Sequence, residues 1–389
     1  MKITGCVLAK NEGDKLEKCL SDLFDISDEV ILVDNGSTDN TQEIAKRFGC
    51  KIIYSPDLVL DEARNRYLEE AKYPWIFILD TDERITEEGK REIKRAVEEA
   101  DESVAGFQLP RYEYVGDGKW SYTVITRLIR NHPKIRYEDF KIHARLRHSV
   151  QSVGKVELLN APIHHFDSFY KNRNSQKRQK YINLILDNIN NTNDSRRLAD
   201  LYKYLGLEYN ALGRIDEAKI QYNKSIELDS EFSSLCKLYL TFIYIQEGNL
   251  DLAESTIDSL LDLNTNMREK ILNAKSKISF EKGKIDEAMK SSLEAIEAAP
   301  FLAHNYINVA ALLENKNPLK AMEYLNKAIE LNPYVLDEFI YKKVSTSNIY
   351  LHQDAFLSCT RSVNSHMEKC KANIEKQKLE KMNQSKTNH

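Results

Sequence analysis

The stretch Trp75-Ile76-Phe77-Ile78-Leu79-Asp80-Thr81-Asp82 sets an unbroken apolar run directly against two carboxylates. Such a run has no polar face, so a strand built from it must be covered on both sides, as in a parallel sheet flanked by helices. Working outward, Ile3–Leu8 and Val30-Ile31-Leu32-Val33 are runs of the same kind, and Ile52-Ile53-Tyr54 is a shorter one. Amphipathic stretches separate them. Leu16, Cys19, Leu20 and Leu23 recur at spacings of three and four; Thr41, Ile44, Ala45 and Phe48 line a second stretch; residues 61–72 and Glu87–Ala100 supply a third and a fourth. This alternation predicts a Rossmann-like α/β domain with a mostly parallel sheet. Ligands of such sheets lie beyond the carboxyl ends of the strands. The polar clusters Lys10-Asn11-Glu12, Asp34-Asn35-Gly36-Ser37 and Asp80-Thr81-Asp82 all fall at that edge.

Paired acids on a tight turn can hold a divalent cation through oxygen ligands, and the cation can in turn hold a diphosphate. The run Asp80-Thr81-Asp82-Glu83 equally suits the start of the helix expected at Glu87–Ala100, as a cap. Asp34 closes the second strand, where a carboxylate is able to accept the N–H of a uracil ring. Asp39 and Thr41 suit the local turn and helix start. Asn11 and Glu12 follow the first strand, where backbone amides and a carboxylate can meet a base or ribose. Arg64 can make charge-assisted bonds to a diphosphate. It can also form a surface ion pair with Asp61 or Glu62, which would contribute little.

Further along, the rhythm changes to helix pairs. Gly213-Arg-Ile-Asp-Glu-Ala218, Gly248-Asn-Leu-Asp-Leu-Ala253, Gly283-Lys-Ile-Asp-Glu-Ala288 and Lys316-Asn-Pro-Leu-Lys-Ala321 align on one another, with alanines 35, 35 and 33 residues apart. That period is the one of a helix–turn–helix repeat. Each glycine stands where a helix must stop and the chain turn sharply. Each alanine stands where two helices approach too closely for a larger side chain. The segments resemble tetratricopeptide repeats over residues 198–335; Lys316 replaces glycine in the fourth. Residues 171–197 read as a connecting helix, from about Asn174 to Ile189, and a linker. Residues 336–389 read as capping helices with a lysine-rich tail, expected to be a solvated helix.

Lys10-Asn11-Glu12, Val33-Asp34-x-x-Ser37-Thr38-Asp39, Ala63-Arg64-Asn65 and Leu79-Asp80-x-Asp82 resemble, in order and spacing over residues 1–170, the inverting family 2 glycosyltransferases of GT-A fold. The resemblance implies a nucleotide-sugar donor, most often a UDP-sugar, and Mg2+ or Mn2+ at Asp80 and Asp82, with Asp82 the firmer ligand. It also implies that Asp34 recognises the base and Arg64 contacts the diphosphate. Thr126-Arg127-Leu128-Ile129-Arg130-Asn131, Lys141-Ile142-His143-Ala144 and Pro162-Ile163-His164-His165 resemble a further family block. In GT-A enzymes a late histidine often completes the metal or diphosphate site. His165 fits that place, and His164 would point elsewhere on a strand. Relatives carry Glu where this chain has Ala144. An inverting transfer needs a base for the acceptor proton, and the remaining candidates are His143, Asp139 and Glu138. A cysteine acceptor, with its lower pKa, would need a weaker base.

A transferase of this class followed by such repeats resembles bacterial enzymes that glycosylate bacteriocin peptides on Cys or Ser, and flagellin glycosyltransferases. The implied partners are a nucleotide-sugar donor and a peptide or protein acceptor held by the repeats. A glycosyltransferase of cell-envelope glycan or lipopolysaccharide core is the alternative within the class. A catalytically degenerate repeat scaffold is the alternative outside it, with Ala144 as its support. Repeat arrays often pack together, which is compatible with a homodimer.

Composition narrows the classes further. The chain has 389 residues, with 56 Lys and Arg against 60 Asp and Glu, so no global basic field is available to hold nucleic acid. Mean hydropathy is −0.53, and no apolar run is long enough to cross a bilayer. The N-terminus lacks the apolar core of a signal peptide. The six cysteines show no CxxC spacing, which argues against both a zinc finger and a disulfide framework. A soluble, reduced, cytoplasmic protein is expected.

Overall fold

The computed structural model describes residues 1–116, 118–137, 146–170, 175–228, 231–261, 267–342 and 362–387. The expectations placed on Glu138, Asp139, His143 and Ala144 lie outside the described residues. Two compact units are present: Met1–Glu113 with Tyr122–Tyr170, and Tyr114–Ser121 with Lys171–His389.

In the first unit the apolar runs become β1 (Ile3–Ala9), β2 (Glu29–Asp34), β3 (Lys51–Tyr54) and β4 (Trp75–Ile78). They alternate with α1 (Gly13–Ile26), α2 (Thr41–Phe48) and α3 (Leu60–Glu70). These four strands are parallel in the order β3-β2-β1-β4, with Ala9 opposite Asp34 and Cys6 opposite Ile78. Helices cover both faces. Leu16, Leu20 and Leu23 of α1 pack with Val7, Leu32 and Phe77 on one side; Ala63, Tyr67 and Leu68 of α3 pack with Cys6, Val33 and Ile78 on the other. The Asn35 N–H donates to Ala9 O (2.9 Å) and the Leu79 N–H to Cys6 O (3.1 Å), which keeps the three carboxyl ends level.

The rest of the sheet extends this parallel core. It consists of β5 (Glu83–Ile85), β6 (Val104–Gly116), β7 (Lys119–Arg130), β8 (Lys155–Leu158) and β9 (Ile163–His165). The full order is β3-β2-β1-β4-β7-β6-β9-β5, with β8 on β6. β7 runs antiparallel to β4 and β5 to β9, whereas β8 and β9 pair parallel to β6, so the nine-stranded sheet is mixed while staying mostly parallel, as expected. The reversal has a simple cause: β6 and β7 follow each other with almost no connection, and only antiparallel neighbours can be joined without a crossover. α4 (Glu87–Glu99), with Thr86 Oγ1 capping it through Gly89 N, buries Ile93 and Val97. Two short helices, α5 (Arg147–Gln151) and α6 (Asp167–Tyr170), complete the unit.

Apart from the strand residues Tyr114–Ser121, the second unit is built of helices: α7 (Ser175–Asn190), α8 (Ser195–Ala211), α9 (Ile215–Glu227), α10 (Ser233–Gln246), α11 (Leu250–Leu261), α12 (Arg268–Glu281), α13 (Ile285–Ala298), α14 (Ala303–Leu313), α15 (Pro318–Leu331) and α16 (Val363–Thr387). Gly213, Gly248 and Gly283 share a φ of +74°, and after each the chain closes back on the preceding helix. The N–H groups of Arg214, Asn249 and Lys284 donate to the carbonyls of Tyr209, Tyr244 and Ser279. Ala218, Ala253, Ala288 and Ala321 are wholly buried. In the fourth turn Asn317 takes over from the missing glycine by capping α15 through Lys320 N, with Pro318 opening the helix. α16 is held on Glu314, which accepts from His366 and from Lys369 Nζ (2.6 Å). Among the described residues, Cys6, Cys19, Cys50 and Cys236 are free thiols, and no helix is long and apolar enough to cross a membrane.

Candidate active site

The loops after β1 and β2 are laced together by polar bonds. Asn11, at a φ of +56°, accepts the Thr38 N–H on its Oδ1 (2.7 Å) and donates its own N–H to Ser37 Oγ (2.9 Å). The Glu12 N–H reaches Thr41 Oγ1 (2.9 Å), and the Gly13 and Thr41 N–H groups both donate to the Asp39 carboxylate (3.1 and 3.0 Å). Slight burial would raise the Asp39 carboxyl, but the bonds from Thr41 and Gly13 outweigh it and hold it below its ordinary range. Asp34 is wholly buried. Its Oδ1 takes the Ser37 N–H and its Oδ2 takes the Gln42 amide, so it fixes the turn from within and has no exposed face for a base. Glu12 is also buried, paired with Lys15 one helical turn on.

A chain of charges runs along the other side of the carboxyl edge. Asp80 is gripped from both sides, by Arg64 Nη2 on Oδ1 (2.9 Å) and by Arg127 Nη2 on Oδ2 (2.6 Å). Arg127 also donates to Glu83 Oε1 (2.7 Å), and Arg111 Nη1 does the same at 3.0 Å. Arg111 Nε then meets Glu113 Oε1 (2.6 Å), and Glu113 Oε2 meets His165 Nδ1. His165 Nε2 lies 3.4 Å from Asp82 Oδ1. Strand register explains the row. His165 pairs with Glu83 across β5 and with Glu113 across β6, and residues paired across a sheet share a face. One place back, His164 pairs with Tyr112 and stacks on its ring, with centroids 5.5 Å apart.

The electrostatics divide the two histidines. Burial pushes His164 down to about 3. Burial acts the same way on His165, but the Glu113 and Asp82 carboxylates overcome it and raise the imidazole to about 10. Burial would likewise raise Glu113, yet Arg111 and His165 bring it down to about 2. Asp80, despite burial, is held well below the usual carboxylate range by Arg127 and Arg64.

Atoms of Asp82, His165 and Asp167 lie within 4.8 Å of one another, two carboxylate oxygens and an imidazole nitrogen. This donor set suits a hard or borderline divalent cation such as Mg2+ or Mn2+. The charges agree. Asp80, Asp82, Glu83, Glu113 and Asp167 face three guanidiniums, Arg64, Arg111 and Arg127, which leaves negative charge in excess before His165 is counted. The structure thus brings Asp82 and His165 together as expected, and it places Asp80 with the arginines instead of in this trio. Arg64 pairs with Asp80 and not with Asp61 or Glu62, and it is 18% exposed. Sequence reasoning missed Glu83, Arg111, Glu113, Arg127 and Asp167 as site residues. The alternation Arg111-x-Glu113 carried a signal, since two charges on one face of a strand rarely go unpartnered.

Comparison with known proteins agrees with this geometry. Residues 5–160 match the family described as Glycosyl transferase family 2. Residues 198–232, 269–301 and 310–334 match the tetratricopeptide repeat. A TPR repeat-containing protein of Synechococcus elongatus is 32% identical over 139 residues, covering 35% of this chain and 34% of that one. An uncharacterized glycosyltransferase of Rickettsia typhi is 30% identical over 176 residues, 42% of this chain and 60% of the relative. The chain therefore spans between one third and three fifths of these two relatives. The SPbeta prophage-derived glycosyltransferase SunS of Bacillus subtilis is 25% identical over 318 residues, 74% of this chain and 71% of the relative. An N-terminal domain that matches the family 2 glycosyltransferases is thus followed by helices that match the tetratricopeptide repeat.

Proposed function

We propose that the protein is an inverting, metal-dependent glycosyltransferase that moves a sugar from a UDP-sugar to a Ser, Thr or Cys side chain of a peptide or protein, with the repeats binding the acceptor. The observation that carries the reading is the pairing of Asp82 with His165 and of Asp80 with Arg64 on one turn, in a domain that matches family 2. Asp82 and His165 would hold Mg2+ or Mn2+, which would neutralise charge on the departing diphosphate. Glu113, bonded to Nδ1 of His165, directs Nε2 toward Asp82. Arg64 uses one Nη on Asp80 and keeps further donors for a phosphate oxygen. Asn11 and Glu12, in the loop braced by Ser37 and Thr41, would line the nucleoside side, and Asp34 supports that loop from below. In an inverting transfer a base takes the acceptor proton while the acceptor attacks the anomeric carbon opposite the leaving diphosphate; His143, Asp139 and Glu138 are the candidates. The domain order, transferase then repeats, and the similarity to SunS along most of the chain support a polypeptide acceptor. Free thiols fit a reducing, cytoplasmic setting.

The test is intact mass spectrometry of candidate peptides incubated with the protein, Mn2+ and a panel of UDP-sugars. A mass gain of one sugar on a peptide, lost in Asp82→Ala, is expected. Transfer only to saccharide or lipid would move the assignment to envelope-glycan synthesis. No donor binding by calorimetry, with Mn2+ present, would leave a scaffold.

A further inference from the structure

We propose that Asp167 is a third protein ligand of the divalent cation and takes the place that the first aspartate of the Asp-x-Asp turn was expected to fill. The proposal rests on the reading of Asp82 and His165 as metal ligands. Asp80 is a poor ligand because each of its oxygens already accepts from a guanidinium, and its charge is balanced by two arginines. Asp167 is 4% exposed and lies two residues beyond His165, with an oxygen within 4.8 Å of the His165 and Asp82 ligand atoms. Its backbone is anchored to the turn it would complete. The Phe166 N–H, immediately before it, donates to Asp82 O (3.0 Å). His165 is held in place by Glu113, so the imidazole is aimed before any ion arrives. Two carboxylates and one imidazole hold a divalent ion while leaving further positions for water and substrate oxygens. Asp82 alone would offer the ion a single carboxylate; Asp82 with Asp167 offers two.

Binding of Mn2+ to the full chain, with and without UDP, is read from the loss of the free-ion electron paramagnetic resonance signal, independently of turnover. Asp167→Asn is expected to weaken Mn2+ binding by about tenfold or more, with the thermal melt unchanged, and Asp80→Asn to weaken it far less. Asp167→Cys is expected to shift preference from Mn2+ toward Cd2+, because a thiolate is a soft ligand. Wild-type affinity in Asp167→Asn overturns the proposal, and if that variant fails to fold, an unshifted metal preference in Asp167→Cys does so. Loss of binding in Asp82→Ala but not in Asp167→Asn leaves the underlying metal reading intact. A wild-type chain that binds no Mn2+ under either condition overturns both.

Discussion

The two sides of the carboxyl edge are built by different means. After β1 and β2, side chains bond mainly to backbone: Ser37, Thr41 and Asp39 accept N–H groups from Asn11, Glu12 and Gly13. Beyond β4, charged side chains bond to one another, from Arg64 through Asp80, Arg127, Glu83, Arg111 and Glu113 to His165. A side-chain-to-backbone bond shapes a loop, and losing it leaves polar groups that water can reach. A buried charge chain is less forgiving, because removing one member orphans the next. The first side sets the outline of the site and the second sets its charge.

Breaking the charge chain at its centre should have the largest effect. Arg127→Met leaves Asp80 and Glu83 short of a partner and is expected to cost about 3–5 kcal/mol, read from the urea midpoint. Adding Glu83→Gln should recover part of that loss, as coupled sites do. Asp82→Ala is expected to lower metal-dependent donor hydrolysis by about 10^2–10^3-fold, measured by release of nucleotide, with the fold preserved. Glu113→Gln frees the imidazole to rotate and should weaken Mn2+ binding by about 10–100-fold, followed by calorimetry. On the other side, Asp39→Asn should cost about 1 kcal/mol or less. Its pH signature has a definite sign. A carboxyl held low in the folded state stabilises at neutral pH, and the benefit fades as pH falls from the ordinary carboxylate range through the depressed value. The variant should therefore lose part of its acid-limb slope, by an amount that shrinks in salt because Asp39 is exposed. An unchanged slope would assign the Gly13 and Thr41 bonds no net worth.

The same contrast explains what could be seen in the sequence. β1, β2 and β4 announce themselves as continuous apolar runs, and the loops that follow them are short, so the Asn11, Asp34 and Asp80 clusters were placed at one edge without coordinates. The repeats were legible for a related reason: Gly213, Gly248 and Gly283 recur with a period, and their shared φ of +74° is what that period encodes. The second half of the sheet left no such mark. β5 and β9 are three residues each, too short for a periodic signal, and their pairing joins Glu83 to His165, far apart in the chain. Arg127 was visible within a quoted block, but its partners, Asp80 and Glu83, are set by which strand lies beside which. Asp34 shows the opposite limit: its position was readable, while its burial beneath Ser37 and Gln42 depends on how the turn closes.

The doubled histidine of β9 has one more consequence. Moved along by a single position, as after a one-residue indel in the preceding loop, the strand would still offer an imidazole to Glu113, now from His164, while Ile163 would enter the Tyr112 stack. The interval to Asp167, which opens α6 beyond the strand, would lengthen from two residues to three, carrying that carboxylate away from the imidazole. A descendant with the slipped strand would thus keep its histidine and lose its aspartate, a molecular scar that sequence comparison of one residue at a time would overlook.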